Sequence, residues 1–165
     1  MTKAKTAALA IGMNTPPMEA KLVDALPDDV GWQFEPKWDG FRCLAFRNGD
    51  SVELRAKSGK SLSRFFPEVI AKLASLPLQR FALDGELAIP VGDSLSFDAL
   101  QMRLHPAESR IRKLSQTTPA IFVLFDCLVS RDNRNLLAEP LFERREALEQ
   151  FYLALKDPGL LRLSP

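Results

Sequence analysis

The sequence predicts an α+β domain built mainly on antiparallel strands with flanking helices. Three observations carry this. Asn48-Gly49-Asp50 separates two alternating stretches and reads as a hairpin turn. Helical segments fall between hairpin-linked strands, not in the regular βαβ alternation of a doubly wound sheet. Neither a Gly-x-Gly-x-x-Gly nor a Walker-type glycine loop is present, so phosphate handling would rest on side chains carried by strands. At 165 residues the chain can bury one real core and is too short for two comfortable domains.

The elements follow in order. Lys3 and Lys5 precede a short apolar run, Ala7 to Ile11, which ends in Asn14-Thr15-Pro16-Pro17 without a clean cleavage site, so residues 1–15 are expected to form a disordered tail. Trp32 to Lys37 and Phe41 to Arg47 read as strands. Ser51 to Ala56 alternates Val52, Leu54 and Ala56 with Ser51, Glu53 and Arg55, giving one dry and one wet face. Pro67 suits the first position of a helix that spaces Val69, Ile70 and Leu73 on one side. Arg80 to Ile89 is the clearest strand: Phe81, Leu83, Leu87 and Ile89 share a face, while Asp84 and Glu86 share the other. Ser96-Phe97-Asp98 opens a short helix reaching Leu104, and Ala120 to Val129 is an apolar strand interrupted only by Asp126. Pro140 opens the last helix, whose stripe of Leu141, Leu148, Tyr152 and Leu155 is expected in the core, with Glu143, Arg144, Arg145, Glu146 and Glu149 covering the rest.

Composition narrows the function. A net charge of only +1 argues against a wholly basic nucleic-acid-binding domain, yet permits a local basic face. Cys43 and Cys127 lie in apolar runs and are too few for a disulfide framework or a zinc site, which implies reduced core thiols and a cytoplasmic location. No apolar run approaches the ~20 residues that span a bilayer, so no membrane partner is expected.

Chemistry concentrates in Glu35-Pro36-Lys37-Trp38-Asp39-Gly40-Phe41-Arg42. A lysine amine attacks only when neutral, and partial burial beside other cations favours that form, so Lys37 reads as an activated nucleophile. Asp84 and Glu86 supply hard oxygen ligands suited to magnesium and to sugar hydroxyls. Arg42, Arg55, Lys57 and Lys60 offer positive charge for phosphates. Phe125 is an aromatic face beside Asp126, a carboxylate that needs a partner if its strand is buried. His105, the lone histidine, sits before Pro106 at a helix end and reads as a capping or surface residue.

Taken in order, Glu35 to Arg42, then Arg55-Ala56-Lys57-Ser58-Gly59-Lys60, Leu83-Asp84-Gly85-Glu86-Leu87 and Phe122-Val123-Leu124-Phe125-Asp126 resemble the motifs of the nucleotidyltransferase domain of ATP-dependent DNA ligases, nearest to the bacterial end-joining and repair type. Ser96 to Leu104 and Pro140 to Arg145 support the resemblance, which runs from about Pro16 to the end. It implies an ATP-grasp-like nucleotidyltransferase domain over residues 16–165. It also implies that Lys37 attacks the α-phosphate of ATP, expels pyrophosphate and holds AMP as a phosphoramidate. Glu35 would contact the adenine and Phe125 would stack on it. Arg42 would touch the nucleotide and later the DNA end, Arg55 would contribute to nucleotide binding, and Glu86 would lie near the ribose and the Mg2+. AMP would then pass to a DNA 5′-phosphate in nicked or broken double-stranded DNA, and the 3′-hydroxyl would displace it.

The second motif departs from the family in carrying Lys57 where arginine is usual, a point charge without a bidentate fork. The chain also stops at Pro165, before the family's later motifs and its OB-fold domain, so a truncated adenylation domain of low activity, or a complementing C-terminal half, is expected. Two other readings compete: a remnant or split-gene subunit that binds nucleotide, and an RNA ligase or capping-type nucleotidyltransferase.

Overall fold

In the computed structural model, which describes residues 8–165, the expected turn joins strand β1 (Phe41–Asn48) to β2 (Ser51–Ala56). Gly49 adopts φ = 62°, the left-handed conformation that a tight hairpin demands. A single 3₁₀ turn (Ser63–Phe65) leads to helix α1 (Pro67–Ser75), which Pro67 begins as expected. Strand β3 (Arg80–Ala88) is followed by the small hairpin β4 (Pro90–Val91) and β5 (Ser94–Leu95). Ser96 caps α2 (Phe97–Gln101) by accepting the Ala99 N–H at 3.1 Å. Helix α3 (Glu108–Thr117), strand β6 (Ile121–Val129), helix α4 (Leu141–Leu153) and strand β7 (Leu161–Leu163) complete the chain.

The five-stranded sheet has the order β2-β1-β3-β6-β7, antiparallel throughout except for the β6–β7 pair. Its period-2 alternation builds two different faces. One carries Cys43, Ala45, Leu54, Phe81, Leu83, Leu87, Phe122 and Leu124 into the main core, where α1 adds Val69 and Leu73 and α4 adds Leu148 and Phe151. Burying such side chains supplies the dominant favourable term in folding. The opposite face carries a smaller cluster of Leu44, Phe46, Ala82, Leu128 and Val129, and beyond it a row of charged residues.

Arginines tie the layers together. Arg47 of β1 donates from Nη1 to the carbonyls of Leu73 and Leu76 at 2.7 and 2.6 Å, satisfying the C-terminal end of α1. Arg103, fully buried, donates to Phe65 and pairs with Glu68 at 2.8 Å, linking α1 to the turn after α2. Cys43 and Cys127 are buried free thiols, as expected.

Three expectations are corrected. Residues 32–37 form no strand: Trp32 and Phe34 are exposed and no neighbouring strand pairs with this segment, so period-2 residues alone lack a ladder to join. Residues 1–7 of the expected tail lie outside the described residues, but residues 8–15 are not loose. Ile11 is buried in the smaller cluster with Leu9, Ala10 and Met13 beside it. Asn133, at φ = 61°, accepts the Ala10 N–H at 3.0 Å and donates to the Ala8 carbonyl at 2.9 Å. In α4, Leu148 and Tyr152 join the core as expected, as does Leu155 just past the helix end, but Leu141 is exposed and Arg144, expected on the surface, turns inward with Leu148 and Phe151.

Candidate active site

The charged end of the second sheet face forms the back wall of a cavity of about 1020 Å³. Strand register assembles it. Arg42 of β1 lies directly across from Glu86 of β3, and Leu44 across from Asp84. Arg42 reaches diagonally to Asp84 and grips it with two bonds, Nε to Oδ1 at 2.6 Å and Nη2 to Oδ2 at 2.7 Å. Asp84 is only 1% exposed, so this fork offsets the cost of burying its charge. Burial still raises the Asp84 carboxyl above its usual range, with Asp126 adding to the rise and Arg42 opposing it.

Glu86 faces the same cavity half-buried. Burial lifts its carboxyl to about 7, against the opposing charge of Arg42 and the Gly40 N–H. Gly40 is required there because a Cβ at that position would strike the Leu87 carbonyl and come within 2.8 Å of Glu86 Cγ. The glycine therefore lets the loop bearing Lys37 lie against β3.

A bulge sets the third wall. In the β3–β6 ladder Gly85 pairs with Leu124 and Asp84 with Asp126, which leaves Phe125 as an inserted residue that turns towards the cavity. The Arg42 guanidinium lies 4.7 Å from the centre of its ring. Asp126, 7% exposed, is met by Arg144, whose Nε lies 2.9 and 3.1 Å from the two carboxylate oxygens.

The irregular segment before β1 closes the front. Glu35, Lys37, Trp38 and Asp39 all line the cavity, and burial followed by the nearby Asp126 charge raises the Glu35 carboxyl. Lys37 corrects one expectation. Its side chain is 89% exposed, and Nζ pairs with Asp39 Oδ1 at 3.0 Å, so no burial among cations surrounds it. Trp38 Nε1 donates to Ser164 Oγ at 3.0 Å, anchoring this segment beside β7.

The structure thus gathers Glu35, Lys37, Arg42, Glu86 and Phe125 around one cavity. Arg55 is the exception. It lies across from Leu44 on the outer strand β2, pairs with Glu53 at 3.7 Å and donates to the Gly59 carbonyl, and it borders a separate small hollow with Lys57 and Gly59. Alternation places it on the same face, but β1 and β3 stand between it and β6, and its side chain does not line the cavity. Lys57, in contrast, reaches both hollows. His105 accepts the Ala107 N–H through Nδ1 at 3.0 Å, a local bond in the link between α2 and α3 that caps neither helix, and it does not line the cavity.

Sequence reasoning missed Arg144 and the Trp38–Ser164 bond. A signal existed for the first, since Asp126 in an apolar strand required a cation; the second joins positions 126 residues apart and left no local trace.

Among the described residues no three His, Cys, Asp or Glu side chains converge as a cation cage. Asp84 and Asp126 are each engaged by an arginine. Glu86 is the carboxylate that fits magnesium's habit of binding through one or two carboxylates plus substrate phosphates.

Residues 17–160 match the family described as "ATP dependent DNA ligase domain". The chain is 46% identical over 139 residues to DNA ligase C1 of Mycolicibacterium smegmatis, covering 81% of this chain and 40% of that protein. It is 48% identical over 133 residues to DNA ligase C of Mycobacterium tuberculosis, covering 80% and 36% respectively. Among solved structures, mycobacterial DNA ligase D complexed with ATP and MES superimposes with a TM-score of 0.56 at 26% identity, over 79% of this chain and 38% of that one. The chain spans about two fifths of the length of the curated relatives it matches. With the family match extending over most of its residues, the chain belongs to the ATP-dependent DNA ligase domain family.

Proposed function

We propose that this chain carries the nucleophile-bearing part of an ATP-dependent DNA ligase, with Lys37 as the residue that becomes adenylylated. The supporting observation is the convergence of Glu35, Lys37, Arg42, Glu86 and Phe125 on one cavity large enough for a nucleotide. Lys37 Nζ, released from Asp39 and deprotonated, donates its lone pair to the α-phosphorus. The N–P bond forms as the bond to pyrophosphate breaks, and the leaving oxygen carries away the electron pair. Lys37 can swing freely because its ion pair is exposed, whereas the receiving wall is fixed in the sheet. Phe125 presents a face for the adenine, Glu35 approaches the base, and Arg42 supplies positive charge that Asp84 orients. Acceleration then comes chiefly from positioning and charge neutralisation.

Mg2+ bound at Glu86 would neutralise phosphate charge, and ionised Glu86 is the form that serves it. We place Arg55 outside nucleotide contact; with Lys57 it offers charge to DNA phosphates beside the small hollow that both border. The partners in this reading are nicked or broken double-stranded DNA and a complementing region with the family's later motifs, for which the longer relatives have room. Buried free thiols at Cys43 and Cys127 fit the cytoplasm.

The test is covalent labelling of the full-length protein with α-phosphate-labelled ATP and magnesium. Label is expected on Lys37, stable to denaturation and absent from Lys37→Ala. Label that persists in Lys37→Ala, or none in the wild type, rejects the assignment.

A further inference from the structure

Phe125 owes its position to something other than the strand ladder. The register passes from Leu124 to Asp126 and skips it, so cross-strand pairing fixes its neighbours and leaves the ring to whatever holds the bulge. Asp126 is the nearest anchor. Its Oδ1 accepts the Cys127 N–H at 2.8 Å, which ties the carboxylate to the backbone just past the bulge. Arg144 then binds both carboxylate oxygens through Nε and donates from Nη1 to the Glu139 carbonyl at 2.7 Å. One guanidinium therefore connects the bulge of β6 to the chain entering α4.

The other side of the bulge is held in the same manner. Asp84 lies across from Asp126 in the ladder and is gripped by Arg42, whose guanidinium sits over the Phe125 ring. The row Arg42, Asp84, Asp126, Arg144 thus runs plus, minus, minus, plus across β1, β3, β6 and α4, with each carboxylate taking one guanidinium and the Phe125 ring against that of Arg42. A buried ion pair is poor at adding stability compared with apolar packing of the same volume. Such a pair is effective at fixing direction, because both partners become costly when misaligned. The Nε and Nη1 donors of Arg144 are committed within the protein to Asp126 and to the Glu139 carbonyl, which fixes the guanidinium beside the bulge.

We propose that the Arg144–Asp126 pair is a positioning device that holds the Phe125 bulge and so sets the aromatic wall against which the base of a bound nucleotide stacks. The proposal rests on the nucleotide reading above for its ligand, but the positioning of the ring can be measured without one. In this proposal Arg144 is a positioning residue, and the tripolyphosphate arm of the test separates that role from direct contact with phosphates.

The experiment compares binding of ATP and of inorganic tripolyphosphate to the wild type, Arg144→Lys, Asp126→Asn, Phe125→Ala and the Phe125→Ala/Arg144→Lys double variant, with thermal melts run on each. Stacking a base on an aromatic ring contributes enough that partial loss of alignment is expected to weaken ATP by about tenfold. Tripolyphosphate, which has no base, is expected to stay within about twofold. In the Phe125→Ala background Arg144→Lys is expected to add no further loss of ATP affinity. Equal losses for both ligands, or additive losses in the double variant, overturn the proposal. In parallel, the Arg42 Nε–H resonance of the ligand-free protein reports the ring directly, since it lies under the Phe125 ring current. Arg144→Lys and Asp126→Asn are expected to move it towards its position in Phe125→Ala, and a resonance that stays put overturns the proposal. A wild type that binds tripolyphosphate but not ATP removes the nucleotide reading instead, with the resonance still deciding the role of the pair. Asp126→Asn preserves shape and the Cys127 contact, so the test survives if Arg144→Lys folds poorly.

Discussion

Glu86 faces the cavity from near the end of β3, and its environment makes the stability of the whole fold depend on pH. Its carboxyl is raised from an ordinary 4.5 to about 7, chiefly by burial, so the folded protein binds this proton more tightly than the unfolded chain does. The sign follows directly: stability attached to Glu86 is complete below its unfolded pKa and is lost as pH rises through about 7. Asp84 and Glu35 are raised as well and act in the same direction. We expect the urea midpoint to fall between about pH 5 and about pH 8, and Glu86→Gln to reduce that fall without abolishing it. A midpoint that rises over this interval in the wild type would contradict the environment described for Glu86. The same group links pH to activity. Below about 7 it is increasingly protonated and a poorer ligand for a cation, so adenylylation at fixed magnesium is expected to weaken on acidification.

Among the elements, the β3–β6 pair bears the most, since each strand gives one face to the main core and the other to the cavity. Gly85 sits at their closest approach. A Cβ there would meet the Val123 carbonyl and come within 2.7 Å of the Phe122 ring, neither of which can retreat from a packed core. Gly85→Ala is expected to cost about 2 kcal/mol of stability, measured by urea unfolding, because overpacking displaces backbone here and not a flexible side-chain tip. β1, β2, β3 and β6 were legible because alternation, a hairpin turn and long apolar runs all agree in them. The helix at Glu108–Thr117 was not. Ile111 is its one buried residue, so the apolar periodicity that marks a helix is nearly absent. Strand β7 has three residues and gains its identity only from β6 beside it. The converse error at residues 32–37 has the same origin, since an alternating pattern says nothing about whether a partner strand is available. Within the site, Glu35, Lys37, Arg42, Glu86 and Phe125 were readable as motif residues. Arg144 was hidden because a single charged residue on a charged helix face looks solvated until the strand beneath it is known.

At the scale of the molecule, the second sheet face is shared between the cavity and the segment packed over Leu44 and Phe46. Asn133 secures that segment with two hydrogen bonds from a left-handed backbone conformation that asparagine tolerates better than most residues. Asn133→Ala is expected to cost about 1 to 2 kcal/mol and to open residues 8–13 to limited proteolysis, while the cavity residues keep their protection. Cleavage at an unchanged rate would show that the clamp contributes nothing.

The bond from Trp38 to Ser164 bears on when the site becomes competent. Ser164 is itself fixed by donating its N–H to the Leu124 carbonyl at 2.8 Å, so the segment that carries Lys37 is moored to backbone beside β6. The two partners lie 126 residues apart, whereas the β1–β2 hairpin joins neighbours in the chain. Local pairing can therefore precede the mooring, and the reactive amine gains its fixed neighbourhood only when that long-range contact closes.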